Sequence, residues 1–330
     1  MTHRQRVLAA FNNQPVDRVP FSFWFHFMKH EEQADALANP ELLEILYEGH
    51  KHYMEALEPD FVKIMCDGLF RYPSAPLYNL KTVEDLAQVT ALDKNNPWIR
   101  AHIDHVKRIC SIREDACYFY NIFSPSMLVR LLVGEEKFLE LFRQVPQKMG
   151  DAFLRMGESL AYMAEAVIKE SGADGIFLCV QNQNVNVITD EEHRKYFSPS
   201  DRIILDAANA AGDNNILHIC GYEGRHNNLE QWVDYEAKAY NWATYVEGVT
   251  LGQGKKLFGG KAVIGGFQNT VQGLLNTGTK EELEAAVEKI LEEAGRVGVL
   301  IGPDCSLPHG LDIKRLEWVR DKLAALGSAQ

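Results

Sequence analysis

The run Gly175-Ile176-Phe177-Leu178-Cys179-Val180-Gln181 is short, apolar and bounded on both sides by turn formers. Ser171-Gly172 precedes it and closes a long helical pattern from Asp151 to Glu170, and the amide-rich Gln181-Asn182-Gln183-Asn184 follows. A run of this length and composition reads as a β-strand. The same helix–strand order repeats outward from it in both directions. Downstream, Thr189 and Glu192 offer a capping box for the next helix, and Asn215-Ile216-Leu217-His218-Ile219-Cys220 is the next strand. Ala239–Thr244, Ala262–Phe267 and Val297–Gly302 follow as strands, with a helix opened by Thr279 and Glu282 before the last of them and another beginning near Ile313. Upstream, the strands are Cys117–Phe123, Phe61–Asp67 and Arg18–Phe25. A first helix holds Val7, Leu8 and Phe11 on one face behind a Thr2/Gln5 capping box, and Asn12-Asn13-Gln14-Pro15 ends it.

Eight strands alternating with helices predict a parallel α/β sheet. A closed (β/α)8 TIM barrel with an N-terminal helical extension is its natural form, and an open doubly wound sheet is the alternative. No repeat or linker interrupts residues 1–330, so one domain is expected. The proline-spotted stretch Tyr72–Asn96 reads as an elaborated loop with a short helix.

The net charge is −12, and no Lys/Arg cluster supplies a basic face for nucleic acid. No apolar run approaches a membrane span, and Thr2-His3-Arg4-Gln5-Arg6 leads straight into a helix without a signal-peptide core. The six cysteines are too sparse for a disulfide scaffold. A soluble cytoplasmic protein with free thiols is expected.

Polar residues gather where the strands end: His26, Asp67, Gln181-Asn182, His218 with Cys220, Glu247, Gln268-Asn269 and Asp304-Cys305. A barrel enzyme places its chemistry at that face. His218-Ile219-Cys220 is the sharpest signal there, because strand residues two apart share a face at roughly 6–7 Å between Cα atoms. Gly221 frees the turn after it, and Cys305 completes a pattern His-x-Cys-x84-Cys. Two thiolates and an imidazole suit Zn²⁺ and leave one tetrahedral position open for substrate, where a thiol binds as thiolate. Against this, His-x-Cys occurs by chance, and buried cysteines commonly only fill space. Glu247 offers a fourth ligand, a general base or a solvated carboxylate. His26 and His30 are candidates for contact with a cofactor ring or for surface positions. Gln181 to Asn186 is an amide loop able to hold a polar ligand. His309 reads as an orienting partner of Cys305 or a turn residue, Cys66 and Cys179 as packing residues, and Gly252-Gln253-Gly254 as a loop approaching a helix.

Arg4–Phe11 with Pro15-Val16-Asp17-Arg18-Val19-Pro20, Gly172-Ala173-Asp174-Gly175 and Tyr196-Phe197-Ser198-Pro199 resemble the uroporphyrinogen decarboxylase superfamily, and the resemblance runs over nearly the whole chain. It implies the (β/α)8 barrel. The superfamily holds decarboxylases and zinc-dependent corrinoid methyltransferases. The decarboxylases grip substrate carboxylates with an Arg-Gln-Ala-Gly-Arg segment after the first strand. Trp24-Phe25-His26-Phe27-Met28-Lys29-His30 stands there in this chain, without either arginine, although Asp67 matches their pyrrole-binding aspartate. His218, Cys220 and Cys305 match the zinc motif of the methyltransferase branch one by one. Gly265-Gly266-Phe267-Gln268-Asn269-Thr270 departs from the Gly-Asn-Leu/Val-Asp-Pro of both branches.

The resemblance therefore implies a methyltransferase with Zn²⁺ as cofactor and a corrinoid as co-substrate. The residues themselves add Glu247 to Asp67 as catalytic candidates and His26, Gln181 and Asn182 as cofactor contacts. No Asp-x-His-x-x-Gly corrinoid motif is present, so the corrinoid arrives free or on a separate protein. A metal-free decarboxylase or lyase of a tetrapyrrole-like substrate, using Asp67, and a barrel that binds such a ligand without turning it over are the alternatives.

Overall fold

The computed structural model describes residues 1–330 except 32, 79–81, 182–186, 222–223 and 329–330. Among the described residues, seven strands form one sheet: β1 (Phe61–Ile64), β2 (Cys117–Phe123), β3 (Gly175–Val180), β4 (Ile216–Ile219), β5 (Ala239–Trp242), β6 (Ala262–Phe267) and β7 (Val299–Pro303). Each pairs in parallel with the next in chain order. A doubly wound sheet reverses its order at a switch point. This one never does, so the open alternative is excluded and the architecture is that of a (β/α)8 TIM barrel.

The strands are apolar on both faces because both faces are covered. Alternate side chains separate into two clusters. Phe61, Phe119, Phe177, Ile216, Ala239, Ala262, Ile264 and Leu300 meet inside the barrel with Trp24. Val62, Ile64, Ile176, Leu178, Leu217, Val263, Val299 and Ile301 join the larger cluster that faces the helices. The inner cluster sets large rings from β1–β3 against small residues from β5 and β6. Helix His3–Phe11 has the expected Thr2/Gln5 capping box and adds Val7, Ala10 and Phe11 to the inner cluster. Its Arg6 reaches Asp60, which is fully buried and also bound by Arg18, His3 and the Phe21 N–H.

The long helix runs from Pro146 to Ser171 and ends at Gly172 in the left-handed conformation (φ 88°), and the Thr189/Glu192 and Thr279/Glu282 boxes are both formed. Four strand expectations change by two residues or more, and the simplest is Ala239–Thr244, which ends at Trp242. Arg18–Phe25 is not a ladder strand: it makes single bridges, Phe21 to Ile301 and Phe25 to Leu307. Pro20 has no N–H to give, and the Phe23 N–H goes to the Tyr53 hydroxyl (2.8 Å) instead of to a neighbouring strand. The segment still bonds to both sheet edges, since the Ser22 N–H donates to the Ile301 carbonyl and the Phe21 carbonyl accepts from the Asp60 N–H, each at 3.0 Å. It thus stands where an eighth strand would.

The strand expected over Phe61–Asp67 ends at Ile64. His50 accepts the Met65 N–H at 3.1 Å, and His105 binds the Met65 carbonyl at 3.0 Å. Two histidines from flanking helices therefore take the backbone groups the ladder would have used. The strand expected from Val297 begins at Val299, because Gly298 sits at φ 67°. Among the described residues no helix is long and apolar enough to cross a membrane.

Candidate metal centre

The last inward positions of β3, β4, β5 and β6 fall in one register row: Cys179 beside His218, His218 beside Asn241, Asn241 beside Ile264. His218 is fully buried in that row, and Cys220, two residues on, keeps the same face with its N–H still bound to the Val180 carbonyl (2.8 Å). Gly221 is required next: a Cβ there would lie 2.5 Å from that of Ala243. Cys305 comes from the end of β7. It is placed by Asp304, whose buried carboxylate accepts from the Thr244 hydroxyl (2.7 Å) and the Tyr245 N–H (2.9 Å). Burial pushes Asp304 up to about 7 against those bonds.

Among the described residues, His218, Cys220 and Cys305 form the one group of three or more metal-capable side chains whose ligand atoms converge, all within 4.8 Å of one another. The two sulfurs are 3.9 Å apart. Two sulfurs bound about 2.3 Å from a tetrahedral zinc stand roughly 3.8 Å apart, so the pair is already at a ligating separation. The hydrogen bond with Cys220, helped by the neighbouring His218 ring and the charge of Lys63, holds the Cys305 thiol well below the usual thiol range, although burial opposes it.

The histidine's tautomer follows from its neighbour. The Asn241 Nδ2 donates to the Ile264 (2.9 Å) and Pro303 (3.2 Å) carbonyls, which fixes which end of the amide is which. Its Oδ1 must then accept from His218 Nδ1 at 2.5 Å. In the neutral ring that leaves Nε2 with the lone pair, and Nε2 is buried with no hydrogen-bond partner among the described residues. An orphaned acceptor beside two close thiols is the donor set of a zinc site, with the orienting hydrogen bond that metal-binding histidines need.

The triad lines a pocket of about 610 Å³, its open mouth included, whose walls also bring in His26, Glu31, Lys63, Met65, Phe123, Arg130 and Cys179. Cys179, expected as packing alone, lines this pocket and bonds to Asn121 (2.9 Å), which also donates to Cys66 (3.2 Å). His26 faces the pocket, held from behind by Asp67 at 2.8 Å and near Glu31 at 3.3 Å. Burial lowers its pKa, but the Asp67 hydrogen bond and the two carboxylate charges outweigh that and raise it. Asp67 is fully buried, spends its second oxygen on the Phe27 N–H (2.7 Å) and is not among the pocket's lining residues.

Glu247 lies apart from the three ligands. Both its oxygens take the Asn227 N–H at 3.0 Å, and Asn227 donates onward to the Cys220 carbonyl, also at 3.0 Å. Burial raises Glu247 against the bonds from Asn227 and His226. Gln181 donates to the same Cys220 carbonyl (3.1 Å), and its buried Oε1 has no partner among the described residues. Asn182, with the rest of the amide loop to Asn186, lies outside the described residues. His30 and His309 are exposed.

Sequence reasoning passed over Lys63 and Asn241. Lys63 had a signal, a lone charge in an apolar strand. Asn241 had none, because its meeting with His218 is a matter of register.

The model of the family described as uroporphyrinogen decarboxylase (URO-D) matches residues 71–325. The chain is 24% identical to a methylcobamide:CoM methyltransferase, MtbA, of Methanosarcina acetivorans over 93% of each chain. It is 25% identical to the MtbA of Methanosarcina mazei over 91% of each. Among solved structures, a methyltransferase from Methanosarcina mazei superposes with a TM-score of 0.68 over 99% of both chains at 16% identity, a likeness of fold.

Proposed function

The chain belongs to the uroporphyrinogen decarboxylase family, in its methyltransferase-like branch, and from that premise we propose that it is a zinc-dependent enzyme moving a methyl group between a corrinoid and a thiol. The observation that carries the reading is the convergence of His218, Cys220 and Cys305, with sulfurs 3.9 Å apart and an unpartnered Nε2 between the strands that hold them. A zinc ion bound there would leave one coordination position open and supply Lewis acidity that keeps an incoming thiol in its thiolate form at neutral pH.

The chain's own residues do the rest. Asn241 fixes the imidazole, while Asp304 and the Gly221 turn set the two sulfurs. Glu247, through Asn227, and Gln181 hold the Cys220 carbonyl and so the backbone of the ligand itself. Met65, Phe123 and Met127 wall the pocket against water, which preserves a thiolate's nucleophilicity and holds it for in-line attack. His26, at the mouth and braced by Asp67, is the contact we assign to the corrinoid side. The corrinoid comes free or on a separate carrier protein.

The decarboxylase alternative loses ground on two counts. The arginine pair that would hold substrate carboxylates is absent after Phe23, and Asp67 is committed to His26 and the Phe27 N–H. Protein purified without chelator should carry about one zinc per chain, and it should consume the methyl–cobalt absorption of free methylcobalamin when a suitable thiol is supplied. Zinc-loaded protein that leaves methylcobalamin untouched with every thiol in a broad panel would defeat the methyl-transfer reading. Coproporphyrinogen formation by metal-free protein would put the decarboxylase in its place.

A further inference from the structure

Lys63 lies in β1 with 4% of its surface exposed, on a strand otherwise made of Phe61, Val62 and Ile64. Its ammonium is 4.5 Å from the centre of the Phe177 ring and 5.5 Å from that of Trp24, and Phe177 packs 5.5 Å from the His218 ring. It lines the same pocket as the two cysteines. Among the described residues no carboxylate comes within ion-pair distance of it. The acids nearby are engaged elsewhere: Asp67 and Glu31 with His26, and Glu135 with Arg130 and Arg225. A buried ammonium that faces aromatic rings and thiols, with no carboxylate paired to it, is only partly compensated. A pocket that keeps one is built for an anion.

The identity of that anion follows from counting charge. Two thiolates, a neutral imidazole and one divalent cation sum to zero, so a neutral fourth ligand leaves Lys63 uncompensated, whereas a thiolate supplies its counter-charge. Methyl transfer reverses this. The S–C bond forms with the thiolate's electron pair, the Co–C pair stays on cobalt, and the sulfur passes from −1 to neutral. Resting on the methyl-transfer reading above, we infer that Lys63 is the specificity-determining charge of the pocket. It favours the thiolate form of the acceptor over water and over the thioether product, and so admits the reactant and releases the product. It acts on the reacting sulfur and not on a charged tail of the acceptor.

The test uses Co²⁺-loaded protein, in which thiol binding is read as a change in cobalt absorption, independently of turnover. Wild type, Lys63→Met, Lys63→Gln and Lys63→Arg are each checked for one cobalt per chain. Each is then titrated with neutral 2-mercaptoethanol, anionic 3-mercaptopropionate and cationic cysteamine, and with the thioether 2-(methylthio)ethanol. Both uncharged variants should bind all three thiols more weakly by about tenfold or more, the order expected of one desolvated charge pair. The thioether should bind no more weakly, and Lys63→Arg should recover most of the thiol affinity. Unchanged thiol affinity in both uncharged variants overturns the inference. So does a loss confined to 3-mercaptopropionate, which would make Lys63 a receptor for the tail. A wild type that takes up no cobalt, or answers no thiol, fails the methyl-transfer reading itself and this inference with it. A responsive wild type with indifferent variants fails the inference alone.

Discussion

Asn241 is the residue whose removal tests the site most sharply, because the two halves of its amide do different work. Asn241→Leu keeps the approximate shape and deletes three hydrogen bonds: the acceptor for His218 Nδ1 at 2.5 Å, and the donors to the Ile264 and Pro303 carbonyls at 2.9 and 3.2 Å. An imidazole without its orienting partner loses about 10–100-fold in metal affinity, or roughly 1.4–2.7 kcal/mol. The metal-free fold pays separately, since a fully buried ring N–H and two buried carbonyls lose a partner, for about 2–4 kcal/mol in all. Asn241→Asp restores an acceptor for Nδ1 but no donor, so it should retain more metal affinity than the leucine variant while recovering little of the stability. Competition against a chromophoric chelator gives the first quantity, and denaturant unfolding of metal-free protein gives the second. A leucine variant whose metal dissociation constant stays within about twofold of wild type would refute the tautomer argument, and so would an aspartate variant that binds more weakly than leucine.

Four further outcomes are expected. Cys220→Ala should lose most of its zinc while keeping wild-type circular dichroism, because the sheet does not depend on the site; full zinc retention by metal analysis would remove Cys220 as a ligand. Asp60→Ala should lower stability by about 3–5 kcal/mol, since it removes the buried carboxylate that Arg6, Arg18 and His3 share and leaves Arg6 with Asp17 alone as its acidic partner; a shift in denaturation below about 1 kcal/mol would contradict that. Burial, relieved only by Arg202, raises Asp201 well above the usual carboxyl range. An unfolded chain ionises it near pH ~4, so above that pH the native state holds a proton the unfolded state has lost, and stability falls as pH rises toward the native pKa. Asn at that position should therefore melt higher than wild type at pH 7–8, with the gain shrinking toward pH 4, and a variant that melts lower at pH 8 would reverse the reasoning. Gly254→Ala should destabilise by about 1–3 kcal/mol, because its Cβ would fall 2.1 Å from Trp242 Cζ2; melting within error of wild type would show that helix Leu251–Leu257 lifts freely.

What the sequence disclosed and what it hid divide along the range of the interactions involved. Caps, turns and apolar runs are local, and Thr2/Gln5, Thr189/Glu192 and Thr279/Glu282 formed as their spacing required. His218 and Cys220 were legible for the same reason, because strand residues two apart share a face whatever the rest of the chain does. Cys305 was legible only through its motif and the family resemblance. Arg18–Phe25 looked like its neighbours in composition, yet Tyr53, a residue of another helix, holds the Phe23 N–H and keeps the segment from joining the ladder. His50 and His105 ended β1 in the same way, from helices the strand's own residues say nothing about.

Register is the step that no local pattern supplies, and it decides the chemistry of the site. His218 faces Asn241 and Cys179 only because β3, β4 and β5 are staggered as they are. A shift of β5 by one residue would turn Asn241 outward to the helices and bring a tyrosine or tryptophan to the histidine. Lys63 shows the complementary case. Its oddness is visible in one strand, but its meaning is not, because a lone lysine in an apolar run reads equally as a misjudged strand edge. Only when Phe177 and Trp24 close on it in the pocket that His218 also lines, with the nearby carboxylates among the described residues already engaged, does the charge become one held for a ligand. The two residues thus divide the control of the site. Asn241 sets which nitrogen faces the metal position, and Lys63 sets which charge state of the fourth ligand is welcome there. Loss of the first should therefore appear as loss of metal, and loss of the second as loss of thiol with the metal retained.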